Sequence, residues 1–145
     1  MLSLTLALAL RDAGLRWSPA SGDRFVLPHR GMDDDVFVLS EMTVEVHRFP
    51  TGTVIGFNGV TEWALDSVEQ DQALWLPTEG QLRDLLGGLF RTLRRRDEYW
   101  TVTYALGGHE RQVAGDHAEE AYGLALLDVL LEVGAADQLP LTSSE

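Results

Sequence analysis

The sequence predicts an α+β domain in which an antiparallel β-meander sheet packs with about three amphipathic helices. Three observations carry this expectation. Short segments between residues 43 and 65 alternate apolar with polar residues and are separated by turn-forming residues, which is typical of a meander. Two later segments, after Thr78 and Asp116, repeat apolar residues at helical spacing. The first ten residues are rich in Leu and Ala, which favour helix.

Residues 2–13 fit two interpretations. Leu occupies every second position of residues 2–10, as in a strand. Leu and Ala are nevertheless strong helix formers, and Ser3 or Thr5 offers a hydroxyl that suits an N-cap. Gly14, followed by an apolar residue, is typical of a helix that ends in a Schellman motif. These signals together favour a helix.

The next part of the chain is predicted to form strands joined by tight turns. His29 to Asp35 reads as a polar loop. Phe49-Pro50-Thr51-Gly52 suits a type I turn, and Asn58-Gly59 suits a type I′ hairpin because both residues tolerate positive φ. The predicted strands in this part cover residues 24–27, 36–39, 43–47, 53–57 and 60–65, and a further apolar run over residues 73–76 ends at Pro77.

The second half predicts two capped helices around a strand pair. Thr78 and Gln81 have capping-box spacing. The helix that they begin is predicted to run to Leu93, where the following Arg94-Arg95-Arg96 complements the helix dipole. A strand over residues 99–104 then turns at Gly107-Gly108 and pairs with residues near 111–114. A last helix is predicted over 118–133, with Gly134 as its stop and residues 135–145 as a frayed tail.

The composition bounds the classes of function. A chain of 145 residues with 45% hydrophobic residues fits one domain, residues 1–145, with its own core. The absence of cysteine excludes disulfides and thiolate chemistry and suits a reducing cytoplasm. The net charge of −12 repels nucleic acids and anionic membranes. The apolar start is interrupted by Arg11-Asp12, too soon to span a bilayer.

Four groups of residues resemble sites, and none predicts a catalytic, cofactor-binding or metal-binding residue; one of them, Arg94-Arg95-Arg96, could contact phosphate but is better explained as a helix C-terminus. His29 with Asp33–Asp35 offers oxygen and imidazole ligands for a divalent cation, but the spacing matches no known metal motif, and a solvated loop explains it. Glu45 and His47 share a strand face about 6.6 Å apart along the strand and resemble a general-base pair, yet no nucleophile accompanies them.

Another group is a set of acids near tryptophans, which suggests a sugar site. The competing interpretation places the tryptophans in the core and the acids in loops. The acids are Glu62, Asp66, Glu69 and Asp71, and the tryptophans are Trp63 and Trp75.

Several stretches resemble a group of small uncharacterised actinobacterial proteins, some of which carry a pilus-assembly label. That label implies a nucleotide-binding ATPase, but the chain has no Gly-x-x-x-x-Gly-Lys-Ser/Thr loop and no lysine from which to build one. This resemblance implies no established activity and no catalytic residue. The stretches are Gly14-Leu15-Arg16-Trp17, Gly22-Asp23-Arg24-Phe25, residues 55–65 and Leu74-Trp75-Leu76-Pro77-Thr78.

The second half also resembles small phage-type α/β sandwich domains, which implies a helix after a Trp-Leu-Pro sequence, a strand pair and a closing helix. Here the corresponding residues are Trp75-Leu76-Pro77, Gln81-Leu82, 99–114 and 118–133.

The sequence therefore favours a non-enzymatic cytoplasmic interaction module that binds a protein partner or itself, with no cofactor. The alternative is an enzyme or small-ligand-binding protein with a pocket near Trp17, Trp63, Trp75 and the neighbouring acids. An exposed apolar surface favours the first hypothesis, and a concave pocket with convergent polar groups favours the second.

Overall fold

The computed structural model describes residues 1–28, 32–39, 45–49, 52–56, 67–69 and 73–138. The chain divides into two compact units. Met1–Arg16 and Pro77–Glu145 form the helix-rich unit, and Trp17–Leu76 form the inserted unit. The predicted α+β class, with antiparallel meanders and three α-helices, is confirmed within the described residues. The single domain over 1–145 stays a prediction.

All three described helices belong to the helix-rich unit: α1 (Leu4–Asp12), α2 (Glu79–Leu86) and α3 (Ala118–Gln138). The same unit contains β7 (Phe90–Arg95), β8 (Trp100–Leu106) and β9 (His109–Gly115). The inserted unit contains β1 (Arg24–Leu27), β2 (Met32–Val38), β3 (Glu45–Phe49), β4 (Gly52–Gly56), β5 (Ser67–Glu69) and β6 (Leu74–Trp75).

The described strands form three antiparallel sheets of three strands each. The strand orders are β2-β1-β6, β3-β4-β5 and β7-β8-β9. The second and third sheets follow chain order and are therefore meanders, and the first brings β6 back beside β1. Among the described strands, β2 and β7 each lie at the edge of their sheet, where backbone hydrogen-bonding groups on one side face outward.

Helix α1 confirms the helical interpretation of residues 2–13. The Ser3 hydroxyl accepts a hydrogen bond from the Leu6 amide at its first turn. At the other end Gly14 has a φ of 114°, and Leu15 N–H donates to the Leu10 carbonyl at 2.9 Å. This bond from beyond the glycine to the last full turn is the Schellman ending that the sequence predicts.

Helix α2 begins as predicted and ends seven residues early. Thr78 and Gln81 form both bonds of the capping box. The helix ends at Leu86, because Gly87 adopts a φ of 56°, which only glycine enters readily. A 3-10 turn over Gly87–Leu89 follows, and the chain then extends as β7. The predicted helix to Leu93 is therefore wrong beyond Leu86.

Helix α3 is longer than predicted. It continues through Gly134 to Gln138, so that Gly134 lies inside the helix rather than at its stop. The predicted frayed tail is wrong for residues 135–138, and residues 139–145 lie outside the described part of the chain.

Most predicted strands are confirmed, with shifted bounds. The predicted strands 24–27, 36–39, 99–104 and 111–114 overlap β1, β2, β8 and β9, and the described parts of 43–47 and 53–57 lie in β3 and β4. The apolar run 73–76 contains β6. The register pairs Phe49 with Gly52, as expected for the predicted turn, although Pro50 and Thr51 are not described. The predicted strand 60–65 and the Asn58-Gly59 turn also lie outside the described residues.

Each unit has its own apolar core. In the helix-rich unit Leu10, Leu82, Val102 and Tyr122 are at most 1% exposed, and the rings of Phe90 and Tyr122 lie 5.5 Å apart. In the inserted unit the buried core consists of Trp17, Phe25, Leu27, Leu39 and Ala73, with Phe37 and Trp75 packed against it.

Candidate functional site

The residues considered as metal ligands are described only in part. Asp33–Asp35 lie in strand β2, so the predicted polar loop is wrong for these residues. His29 is not described. Among the residues that the structure describes, no group of three or more His, Cys, Asp or Glu side chains is placed to hold a metal ion.

The other predicted residues are placed only in part. Glu45 and His47 lie in β3, in register with Gly56 and Val54 of β4. Glu69 lies in β5, a strand rather than the expected loop. Glu62, Trp63, Asp66 and Asp71 lie outside the described residues.

Trp17 is a core residue of the inserted unit. It is 8% exposed, and its ring lies 5.4 Å from that of Phe25. Its indole N–H donates to Asp23 Oδ2 at 2.8 Å. The same oxygen accepts the Ala20 amide at 3.0 Å, and Asp23 itself is 4% exposed. This carboxylate therefore fixes the turn before β1 and the Trp17 ring together.

Trp75 differs from Trp17 in the hydrogen bonding of its indole nitrogen. It packs against the same core, but its Nε1 is buried without a hydrogen-bond partner in the described part of the chain. A buried donor of this kind costs free energy until an acceptor reaches it.

A network of four side chains joins α3 to the β7-β8-β9 sheet. Tyr104 Oη donates to Asp128 Oδ2 at 2.5 Å. Arg111 Nη1 donates to Asp128 Oδ2 at 2.9 Å and to Glu132 Oε1 at 3.2 Å. Tyr104 and Arg111 are register partners on β8 and β9, and Asp128 and Glu132 stand one turn apart on α3.

The electrostatics of this network favour a structural role. Burial raises the pKa of Tyr104 well above its usual 10.0, and the hydrogen bond to the Asp128 carboxylate raises it further. The phenol is therefore a neutral donor at physiological pH, not a nucleophile. Tyr104 is 1% exposed, and both Asp128 oxygens accept from Arg111.

Sequence reasoning missed this network, although a signal for it exists. Asp128 and Glu132 are like charges four residues apart on a predicted helix, an arrangement that is unfavourable without a cation between them. Arg111 on the predicted neighbouring strand is the cation that fits. The bond from Tyr104 depends on tertiary packing, which the sequence pattern does not contain.

The arginines predicted to end a helix instead follow the edge of a sheet. Arg91, Arg94, Arg95 and Arg96 are all exposed, and we call them the basic edge. They make up four of the eleven basic residues in a chain of net charge −12. No ion pair joins them to a carboxylate within the described residues. Arg95 stands 5.8 Å from the centre of the Trp100 ring, a cation–π distance.

Within the part of the chain that the structure describes, the backbone of the basic edge pairs with a neighbouring strand, β8, on one side only. Arg96 N–H donates to the Tyr99 carbonyl at 2.7 Å, toward β8. Because amides alternate in direction along an antiparallel strand, Arg95 and Leu93 turn their N–H and C=O groups away from β8. Such groups at a sheet edge are a template for an added strand.

A second exposed surface lies on the last part of α3. Leu131 and Val133 are 56% and 51% exposed, and Leu127, Val129 and Leu130 are half-buried. Burial is much greater in the first half of the helix, where Ala121 and Ala125 are fully buried.

Comparisons with known proteins place the chain in no family: no family model, no curated protein and no solved structure matches it. The resemblances to actinobacterial and phage-type proteins stay predictions. In the described residues, none of the helices combines the length and the apolar character that crossing a bilayer requires.

Proposed function

We propose that this chain is a non-enzymatic interaction module that binds a protein partner or a second copy of itself, and that the partner adds as a strand to the basic edge. The observation that carries this proposal is that three exposed arginines lie on edge strand β7 of an acidic protein and a fourth, Arg96, directly follows the strand. Addition of an extended segment to a sheet edge gains affinity from main-chain hydrogen bonds and specificity from side chains.

The charges of the basic edge and of the whole chain together favour an acidic protein segment as the partner. The arginines attract an acidic segment, whereas the net charge of −12 repels nucleic acids at longer range. Asp97 and Glu98 follow the arginines directly, so the attraction is confined to the strand itself. A short acidic peptide fits such a surface better than a long polyanion. A cytoplasmic location belongs to the same proposal, supported by the absence of cysteine.

The exposed part of α3 supports the same class of function. Large continuous apolar patches on a protein surface often mark contacts with other proteins, and the exposed Leu131 and Val133 lie among half-buried apolar residues of α3. The Tyr104 network, by contrast, leaves no reactive group for an enzymatic role, because each of its charges is paired within the fold.

The test is binding of a fluorescent octaglutamate peptide to the full chain, followed by anisotropy. We expect saturable binding that weakens with salt and is lost in the Arg94→Glu/Arg95→Glu variant. Arg11→Glu/Arg16→Glu is the matched control, since it changes the net charge equally at exposed or half-exposed sites away from β7. Equal binding by both variants, or no binding by the unaltered chain, would overturn the proposed strand addition.

A second candidate function is binding of a small ligand in the inserted unit. The buried, unpaired Nε1 of Trp75 favours it, because a ligand that carries an acceptor would satisfy this donor. The predicted site includes Trp17, Trp63 and the neighbouring acids. A thermal-shift screen of saccharides and other neutral polar ligands tests it, with Trp75→Phe as the variant in which a true ligand loses its effect.

A further inference from the structure

The four arginines of the basic edge differ in what their side chains contact. Arg91 Nη1 donates to the Gly88 carbonyl at 2.6 Å, so its guanidinium is engaged within its own turn. Within the described part of the chain, no hydrogen bond or ion pair holds the side chains of the other three, which are all exposed. The arginines open to a partner are therefore Arg94, Arg95 and Arg96.

Neighbouring arginines of β7 point to opposite faces of the sheet. Tyr104 donates to Asp128 on α3, so its face of β8 is the one that packs against this helix. Side chains alternate along a strand, and register partners share a face. Arg95, the register partner of Trp100, therefore lies on the α3 face, and Arg94 lies on the opposite face. One acidic residue cannot meet both arginines, whereas two consecutive acids of an added strand can.

An apolar position precedes these two arginines. Leu93, Val102 and Val113 form one apolar row across the sheet. Val102 is fully buried and the two ends of the row are half-buried. An apolar residue opposite Leu93 in an added strand continues this row and covers its open end. At the β9 edge Val113 is followed by Ala114 and Gly115, so no cation follows the row there.

The backbone favours one direction of the added strand. Leu93 and Arg95 turn their N–H and C=O groups away from β8, so an antiparallel segment can exchange both hydrogen bonds with each of them, and antiparallel pairing is the more stable kind. In this direction the residue opposite Arg95 precedes the residue opposite Leu93. We propose that the basic edge selects an extended protein segment that reads acidic-acidic-apolar from its N-terminus. The motif rests on the proposed function, because it is the sequence of the strand that adds to this edge.

The site is short at both ends. The register of β7 with β8 shifts between Phe90 and Thr92, and such a bulge ends regular pairing. At the other end Asp97 and Glu98 directly follow the arginines and repel further acids in the bound segment. The net charge of −12 also opposes a long acidic partner. A segment with two acids and an apolar residue therefore fits better than an acidic run.

Two peptides of equal composition and charge test the order of the motif. The forward peptide is Ser-Thr-Glu-Glu-Val-Thr-Thr-Ser and the reversed peptide is Ser-Thr-Thr-Val-Glu-Glu-Thr-Ser, both with capped ends and a fluorescent label. In anisotropy titrations we expect the full chain to bind the forward peptide about threefold more tightly or better. Only this peptide places its valine opposite Leu93 when its two acids face Arg94 and Arg95.

Removal of single charges tests the assignment of the arginines. Arg94→Gln and Arg95→Gln each remove one cross-strand ion pair and should weaken binding of the forward peptide by about threefold. Arg91→Gln is the matched control, because it removes the same charge from the same strand but from a side chain that Gly88 holds. It should leave the affinity nearly unchanged. Circular dichroism establishes that each variant is folded.

Cysteine cross-linking tests which edge is used, because the native chain has no cysteine. A forward peptide with cysteine in place of its valine is mixed with the full-length Leu93→Cys variant under mild oxidation. Opposed strand residues lie within disulfide reach, so we expect a cross-linked product. Val113→Cys, at the other end of the same apolar row, is the matched control and should cross-link much less.

The outcomes separate the motif from the proposed function. Octaglutamate binding without any preference for the forward peptide leaves strand addition standing and overturns the acidic-acidic-apolar motif. Absence of binding by octaglutamate and by both ordered peptides overturns both. The assigned contacts are overturned if Arg91→Gln weakens binding as much as Arg94→Gln, or if Val113→Cys cross-links as efficiently as Leu93→Cys.

Discussion

The two units stabilise their polar groups in opposite ways. In the inserted unit the Asp23 carboxylate is 4% exposed and bonds inside an aromatic core. In the helix-rich unit Asp128 is 30% exposed at the junction of α3 with the sheet. A buried polar group is costly once its partners are lost, whereas a partly exposed one can turn to water. Loss of one carboxylate should therefore have a larger effect in the inserted unit.

The aromatic residues divide in the same way and allow the units to be observed separately. All three tyrosines belong to the helix-rich unit, whereas three of the four tryptophans belong to the inserted unit. Tryptophan fluorescence therefore reports mainly on the inserted unit, and tyrosine ionisation reports on the helix-rich unit alone.

The largest loss of stability is expected from Asp23→Ala in the inserted unit. The substitution removes the buried carboxylate that accepts from the Trp17 indole and the Ala20 amide, and it should lower the free energy of unfolding by about 3 kcal/mol. Denaturant titration followed by tryptophan fluorescence measures it. Asp84→Ala, at an exposed carboxylate on α2, is the control and should change stability by less than about 0.5 kcal/mol. Equal effects of the two substitutions would contradict the comparison.

In the helix-rich unit, the substitution expected to destabilise most is one that adds a side-chain atom where there is no room, rather than one that removes a polar group. Gly115 ends β9, and a Cβ there would lie 2.6 Å from the Ala121 backbone nitrogen. Because backbone cannot move aside as a side chain can, Gly115→Ala should cost about 2 kcal/mol. Gly80→Ala, where a Cβ meets nothing within 4 Å, should not destabilise. Thermal unfolding by circular dichroism distinguishes the two, and an unchanged Gly115→Ala protein would argue against this close packing.

Substitution of Asp128 tests the same comparison between the two units, with an expected loss of stability of intermediate size. Asp128→Asn keeps the shape but removes the charge that Arg111 and Tyr104 share, and it should cost about 1 kcal/mol, less than Asp23→Ala. The carboxylate raises the pKa of Tyr104, so the variant should ionise Tyr104 at lower pH. Alkaline absorbance titration measures this shift, and Glu132→Gln, at an exposed carboxylate, serves as the control.

The same pKa shift sets a pH dependence. Burial raises the folded-state pKa of both Tyr104 and Tyr122, whereas an unfolded tyrosine titrates near about 10. Their contribution to stability is fully present below that value and is lost as the pH rises through the folded pKa values. The helix-rich unit should therefore weaken in strong alkali. A constant stability across this range would mean that these tyrosines are not buried.

Local signals predicted the parts of the fold that depend on neighbouring residues. The caps at Ser3 and Thr78, the Schellman ending at Gly14 and the Gly107-Gly108 turn are bonds between residues a few positions apart. These elements agree with the sequence because their causes lie within a few residues of the chain.

Tertiary contacts explain the failures. Leu89, Phe90 and Leu93 continue the apolar stripe of α2, but pairing of β7 with β8 overrides helix propensity, and Gly87-Gly88 supplies the break. The basic edge was misread for the same reason, since arginines at a helix end and on an edge strand have the same sequence. The buried Asp23 was missed because charged residues are mostly exposed.

The smallest change in stability is expected for a substitution of Gly134. Its sign shows whether α3 extends through this residue. A glycine that stops a helix adopts positive φ, and alanine there is strained. Gly134 instead lies inside α3 without positive φ, and a Cβ there meets nothing within 4 Å. Gly134→Ala should therefore raise the free energy of unfolding by about 0.5–1 kcal/mol. Gly87→Ala, at a true stop, should lower it by a comparable amount. Thermal unfolding of the two variants side by side gives opposite signs if α3 extends through Gly134, and the same sign if α3 ends there.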